Sequence, residues 1–189
     1  MKTLIFGIAL SSIFFVACNN NGTKQKASDG TLETSTTETK SDVAVSNPTN
    51  KLLKEYINLK NALAKDDNKG AAAAGNELVK TLDGFDKSSL TAEQAKVFDD
   101  IKEDAKEHAE HIGTNAGNIE HQREHFETLS QDMYDLVKVT GAGQKMYYSN
   151  CPMYNNNKGA NWLSETKEIQ NPYLGKAMST CGSVKEEIN

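Results

Sequence analysis

From residue 50 onward the apolar positions recur at helical spacing. Leu52, Leu53, Tyr56, Leu59 and Leu63 fall on one stripe, the stepping by three and four that places side chains on one face of an α-helix. The stripe breaks near residues 66–70. A weaker helix is expected over 71–82, where four consecutive alanines favour the helical state and Leu78, Val79 and Leu82 supply a face, although Gly75 weakens it. Thr91 with Gln94 three residues on has the spacing of a capping box. From there Phe98, Ile101, Ala105, His108 and Ile112 predict a third helix, and Ile119, Gln122, Phe126, Leu129, Met133 and Leu136 a fourth.

No proline falls between Pro48 and Pro152, so nothing in the sequence kinks these helices. The five residues 113–117 are too few to do anything but turn the third helix back on itself as the fourth. The expected fold class is therefore all-α, an antiparallel four-helix bundle. Beyond Gly141 the chain turns aromatic and rich in Asn and Gly, which reads as an irregular Cys/Met/aromatic loop packed on the bundle. In it Trp162, Tyr154 and Tyr173 are expected to cover one face of the bundle, residues 155–159 to form a turn, and Met146, like Met133 in the fourth helix, to serve as packing.

The first 49 residues follow different rules. A short basic start at Lys2, an apolar run from Leu4 to Val16 and the small residue Ala17 before Cys18 have the form of a signal peptide, residues 1–17. The apolar run is shorter than the roughly 20 residues a spanning helix needs. Phe15-Val16-Ala17-Cys18 looks like the lipobox of a bacterial lipoprotein, with Phe in place of the usual Leu, so lipidation is expected at Cys18. Acyl chains there would hold the chain to a membrane leaflet. Residues 18–49 hold no aromatic side chain and few large apolar ones, too few to order themselves, and read as a disordered tether. The organisation expected is signal peptide, lipidated tether, and a helical domain over 50–189.

Charge narrows the function. Lys and Arg number 21 against 26 Asp and Glu, so there is no basic field to hold nucleic acid. No His-Glu-x-x-His motif occurs, because Gln122 follows His121, and neither a phosphate loop nor a Gly-x-Ser-x-Gly elbow is present. The chain is not expected to be an enzyme.

All four histidines fall within 18 residues, at His108, His111, His121 and His125. The i,i+3 and i,i+4 spacings put each pair on neighbouring turns, and the hairpin brings both pairs to one end of the bundle. Imidazole is the commonest metal ligand. At 100 degrees per residue His108 falls in the apolar stripe, His125 on its flank, and His111 and His121 at its edge, so a single site for all four is not expected. The offsets of His111 and His121 have the same sense, which means both lean toward each other or both lean outward. The competing reading makes His108 a core residue and the others surface decoration.

A second constellation lies in the tail, where Cys151 stands two residues from Met153 and Met178 three from Cys181. Thiolate and thioether are soft donors that suit monovalent copper or silver. Two cysteines in an oxidising compartment also commonly pair as a disulfide, which would add about 3 to 4 kcal/mol in the chain-entropy model. The tail begins at the opposite end of the bundle from the histidines, about 21 Å away at 1.5 Å per residue, and must run back along the bundle to meet them.

Several of these motifs carry a resemblance. The stretch from Ile119 through His121, Gln122 and His125 to Ser130, then Cys151-Pro152-Met153, the run from Lys158 to Ser164, Lys167-Glu168-Ile169, Asn171-Pro172-Tyr173 and Cys181-Gly182 together resemble an uncharacterised helical domain of Gram-negative bacteria. That domain, of unknown function, occurs in small periplasmic lipoproteins and at the C-terminus of the periplasmic adaptors of copper/silver efflux pumps. The resemblance implies an association with heavy-metal handling and makes Cys151, Met153, Met178 and Cys181 candidate ligands. The expected function is a membrane-tethered, periplasm-facing protein that binds or buffers copper, or silver or zinc in its place, with efflux-pump components as partners. The alternative is a helical interaction module stapled by a Cys151–Cys181 disulfide.

Overall fold

The computed structural model describes residues 47–189. The expected signal peptide, Cys18 and the tether up to residue 46 lie outside the described residues. Residues 47–49 are packed on the bundle: the Asn47 side chain donates to the carbonyls of Thr140 and Gly141, and Thr49 is buried.

Four helices follow, α1 (Asn50–Ala64), α2 (Asn68–Asp83), α3 (Ala92–Thr114) and α4 (Ile119–Thr140). Each forms where the apolar stripe predicts it, and the buried residues of α1, α3 and α4 include Leu52, Tyr56 and Leu63, then Phe98, Ala105 and Ile112, then Phe126, Leu129, Met133 and Leu136. Local chemistry sets the starts. Asp67 accepts from the Gly70 amide at 2.9 Å, Thr91 and Gln94 close the expected capping box, and Asn118 accepts from the His121 amide at 3.2 Å, each satisfying an N–H that has no partner inside its helix. Gly75 has a purpose beyond its poor propensity. A Cβ there would lie 2.9 Å from the Ala109 carbonyl oxygen, so glycine is what lets α2 and α3 approach so closely.

The tail overturns the all-α expectation. It contains a three-stranded antiparallel sheet of order β2-β1-β3, formed by β1 (Met146–Cys151), β2 (Ala160–Ser164) and β3 (Ser183–Ile188). The fold is mixed, a helical bundle with a C-terminal sheet. These strands are five or six residues long, and β3 offers only Val184 and Ile188 as apolar positions among charged ones, so the period-two signal is too short and too diluted to stand out. Between β1 and β2, Asn155, Asn156 and Asn157 take φ of 51°, 55° and 63°, a left-handed turn that Asn tolerates better than most residues.

The tail runs back along α4. Glu186 meets Lys138 and Tyr134, Tyr148 meets Gln131, Asn155 meets Glu127, and Arg123 donates to the Pro172 carbonyl. Its anchor is a buried aromatic group in which Tyr173 packs on Phe126, Tyr154 and Trp162, with the Tyr173 hydroxyl donating to the Asn161 carbonyl. Tyr56 ties three elements together: its hydroxyl shares a hydrogen bond with Ser130 of α4 at 2.9 Å and accepts one from the Leu163 amide of β2 at 3.0 Å.

Candidate metal centre

The α3–α4 hairpin gathers the histidines. The ring of His125 stacks on that of His111 with centroids 4.2 Å apart and stands edge-on to His121 at 4.5 Å, while His111 and His121 are 5.9 Å apart. One nitrogen from each of these three rings lies within 4.8 Å of the others, and among the described residues this is the one such group of three or more His, Cys, Asp or Glu. Three ligands on one ion at 2.0–2.1 Å in tetrahedral array sit about 3.3 Å from one another, so modest side-chain rotation closes the set. The shared sense of offset that left His111 and His121 undecided is resolved inward. His111 is exposed and the other two are half-buried, which leaves one side of the group open to solvent and to exchange.

His108 stands just outside the three. Its Nδ1 lies 2.8 Å from Nδ1 of His125, and its Nε2 faces Asp104 Oδ1 at 3.5 Å. A carboxylate only accepts, so the arrangement that serves it puts the His108 proton on Nε2. The His108 Nδ1 lone pair then accepts from His125 Nδ1–H, and His125 Nε2 is left with a free lone pair. A ring held this way by a second residue is the usual support of a metal-bound histidine. Burial, followed by the charges of His111, His121 and His108, lowers the pKa of His125 to about 4, with Glu124 opposing. The imidazole is therefore neutral at neutral pH, the form that binds metal. Glu124 Oε2 is 3.3 Å from His121 Nδ1, and Glu107 Oε1 is 3.9 Å from His111 Nε2, so carboxylate oxygens border the group.

The cysteines form a separate pair. Cys151 ends β1, is fully buried and pairs across the sheet with Ala160. Cys181 precedes β3, its carbonyl held by the Asn171 side chain at 2.7 Å. Gly182 follows at φ 140°, where a Cβ would come within 2.9 Å of the Trp162 ring. The two sulfurs are 3.3 Å apart as free thiols. Contact with Cys151, then burial, raises the pKa of the Cys181 thiol. The candidate thioethers are at the surface, Met153 49% and Met178 40% exposed. The return of the tail along α4 does not bring either sulfur of the pair into the histidine group. The i,i+4 spacing of Asp104 and His108 is the one sequence signal for their contact.

A helical bundle bearing a half-open histidine group, with a small sheet that places two thiols in contact, is the class of domain these residues define. Through residues 52–145 the chain belongs to a family described as a protein of unknown function, DUF3347. The match runs from Leu52, inside α1, through α4 with every histidine and ends just before β1, so Cys151 and Cys181 lie beyond it. No curated protein and no solved structure matches the chain.

Proposed function

We propose that this chain is a metal-binding protein that holds or buffers a heavy-metal ion, copper foremost, at the periplasmic face of a membrane, in association with efflux or homeostasis. The observation that carries the reading is the convergence of His111, His121 and His125 within 4.8 Å, a donor set suited to copper, zinc or nickel. It works by ligand exchange rather than bond-making catalysis, which its half-open position favours. The contacting thiols of Cys151 and Cys181 offer softer donors for monovalent copper or silver. Membrane attachment in this reading rests on the lipobox-like run Phe15-Val16-Ala17-Cys18; no helix among the described residues is long and apolar enough to cross a membrane. Efflux-pump components are the partners this reading favours.

The test is competition for copper between the purified chain and a chromogenic chelator. Changing His121 and His125 together to Gln is expected to lower copper affinity more than tenfold, and unchanged affinity defeats the reading. The 3.3 Å approach of the two sulfurs also favours a second reading, an interaction module stapled by a Cys151–Cys181 disulfide. A thiol count of the protein under oxidising conditions, together with its metal retention, separates the two.

A further inference from the structure

The tail covers α4 incompletely and leaves a cleft of about 600 Å³ beside its N-terminal half. Tyr154 and Leu174 of the tail line it, and the Tyr154 ring stacks on buried Tyr173 with centroids 4.6 Å apart. From α4 it is lined by Glu120, Glu124 and Glu127, whose spacings of four and three put them on one helix face. Among the described residues none of the three pairs with a Lys or Arg: Glu124 contacts His121, and Glu127 accepts from the Asn155 side chain at 3.3 Å. Arg123 stands on the same face, one turn from Glu120 and from Glu127, yet its side chain is only 10% exposed and bonds elsewhere. Its Nε donates to the Pro172 carbonyl at 2.8 Å, and its Nη2 to the Leu63 carbonyl at 3.0 Å and to Asp66 at 2.6 Å. Nη1 has no partner among the described residues, and Arg123 lines the cleft. Two N–H groups of a buried guanidinium are thereby left for an acceptor in the cleft.

We propose that this cleft binds a free amino acid. The α-carboxylate accepts from Arg123 Nη1, the ammonium sits among the three Glu carboxylates, and the side chain lies against Tyr154, an arrangement built on charge-assisted hydrogen bonds. Three carboxylates repel a simple anion, and a simple cation leaves Nη1 without an acceptor, so a zwitterion is the ligand that satisfies both. The cleft has the volume of a small-molecule site. Burial, then the charges of Glu127 and Glu124, push the Tyr154 pKa up to about 12, so its hydroxyl stays a neutral donor. The cleft is separate from the metal centre. At 100 degrees per residue, His121 and His125 lie roughly 110° and 150° around α4 from the middle of the cleft face, so the proposal does not rest on the metal reading.

The test uses the full chain stripped of metal, because amino acids themselves chelate copper and zinc. The common amino acids are screened singly by thermal shift. The strongest binder is then titrated by calorimetry beside its N-acetyl derivative, which lacks the ammonium, and its decarboxylated amine, which lacks the carboxylate. Each analogue is expected to bind at least about tenfold more weakly than the amino acid. The amine reads the Arg123 contact without altering a residue that also holds Asp66 and the tail. In E120Q/E127Q, where Gln keeps the acceptor that Asn155 uses, the affinity for the amino acid is expected to fall more than about tenfold, and a thermal melt verifies that this variant is folded. The proposal is overturned if no amino acid binds at millimolar concentration, or if E120Q/E127Q leaves the affinity unchanged. An amine that binds as tightly as its amino acid overturns it as well and leaves a cleft for simple cations. An N-acetyl derivative that binds equally well removes the role of the carboxylates and has the same consequence.

Discussion

The histidines meet within one helical hairpin, with His108 and His125 only 17 residues apart, whereas Cys151 and Cys181 are brought together across 30 residues by a sheet. The first group needs only two helices and a short turn, so it depends on local periodicity and stays partly open to solvent. The second needs β1, β2 and β3 in register and the aromatic group beneath them, and it is partly buried. Damage to the sheet should therefore separate the thiols and spare the histidines, and damage to the hairpin should do the reverse.

The largest expected effect tests the sheet. Trp162 is fully buried and packs on Tyr173, so Trp162→Ala should cost about 3–5 kcal/mol in urea unfolding. Thiol modification should reach Cys151 faster in this variant, while zinc retained at the histidine group shows that the hairpin persists. A cost under about 1 kcal/mol would mean that the sheet contributes little and would break the comparison. Next comes the hairpin itself. H121Q/H125Q should lower divalent copper affinity more than tenfold, at least about 1.4 kcal/mol, and leave silver binding unchanged, while C151S/C181S should weaken silver and spare divalent copper. Equal losses of both ions in either variant would show one shared site.

The same contrast explains what could be read from the chain. Stripes such as Phe98, Ile101, Ala105 and Ile112 give all four helices and the capping box at Thr91, because i,i+3 and i,i+4 neighbours are decided by residues close in sequence. The gathering of histidines at one end followed from the same spacings. What the spacings left open, the inward lean of His111 and His121, depends on how α3 and α4 rotate against each other, which the whole core determines. The strands were missed because β3 reads Ser183, Val184, Lys185, Glu186, Glu187, Ile188. It becomes a strand by pairing with β1 and by the reach of Glu186 to Lys138 and Tyr134, contacts that no local window contains.

A smaller effect lies beneath the sheet. Lys60 is fully buried, 3.3 Å from Glu165 and 3.5 Å from the Ser164 hydroxyl, and burial lowers its pKa despite Glu165. A folded pKa below the ordinary lysine value means the fold prefers the neutral amine. That preference adds stability above the ordinary value and is lost as pH falls through the folded one, leaving a net cost of charging at neutral pH. Lys60→Met together with Glu165→Gln should thus raise stability at pH 7 by about 1 kcal/mol, with the gain shrinking as pH rises toward 10, as paired urea titrations would show. A loss at pH 7 would mean that the pairing with Glu165 outweighs desolvation.

The smallest effect compares two helix caps of similar chemistry at opposite ends of the hairpin. Thr91 caps α3 far from the histidines, whereas Asn118 caps α4 by holding the amide of His121 itself. Replacing either with Ala should cost about 1 kcal/mol of stability, because each leaves a first-turn N–H without its side-chain partner. Their effects on metal should differ. Fraying at Asn118 loosens the turn that carries His121 and spends part of the binding energy on re-ordering it, so zinc affinity should fall about fivefold, the share of 1 kcal/mol that ordering requires. Thr91→Ala frays a turn more than ten residues from His108 and should leave zinc affinity within about twofold, inside the usual scatter for distant sites. Calorimetric zinc titrations of both variants decide it. Equal losses in the two would mean that the histidine group responds to the stability of the bundle as a whole rather than to the hairpin that builds it.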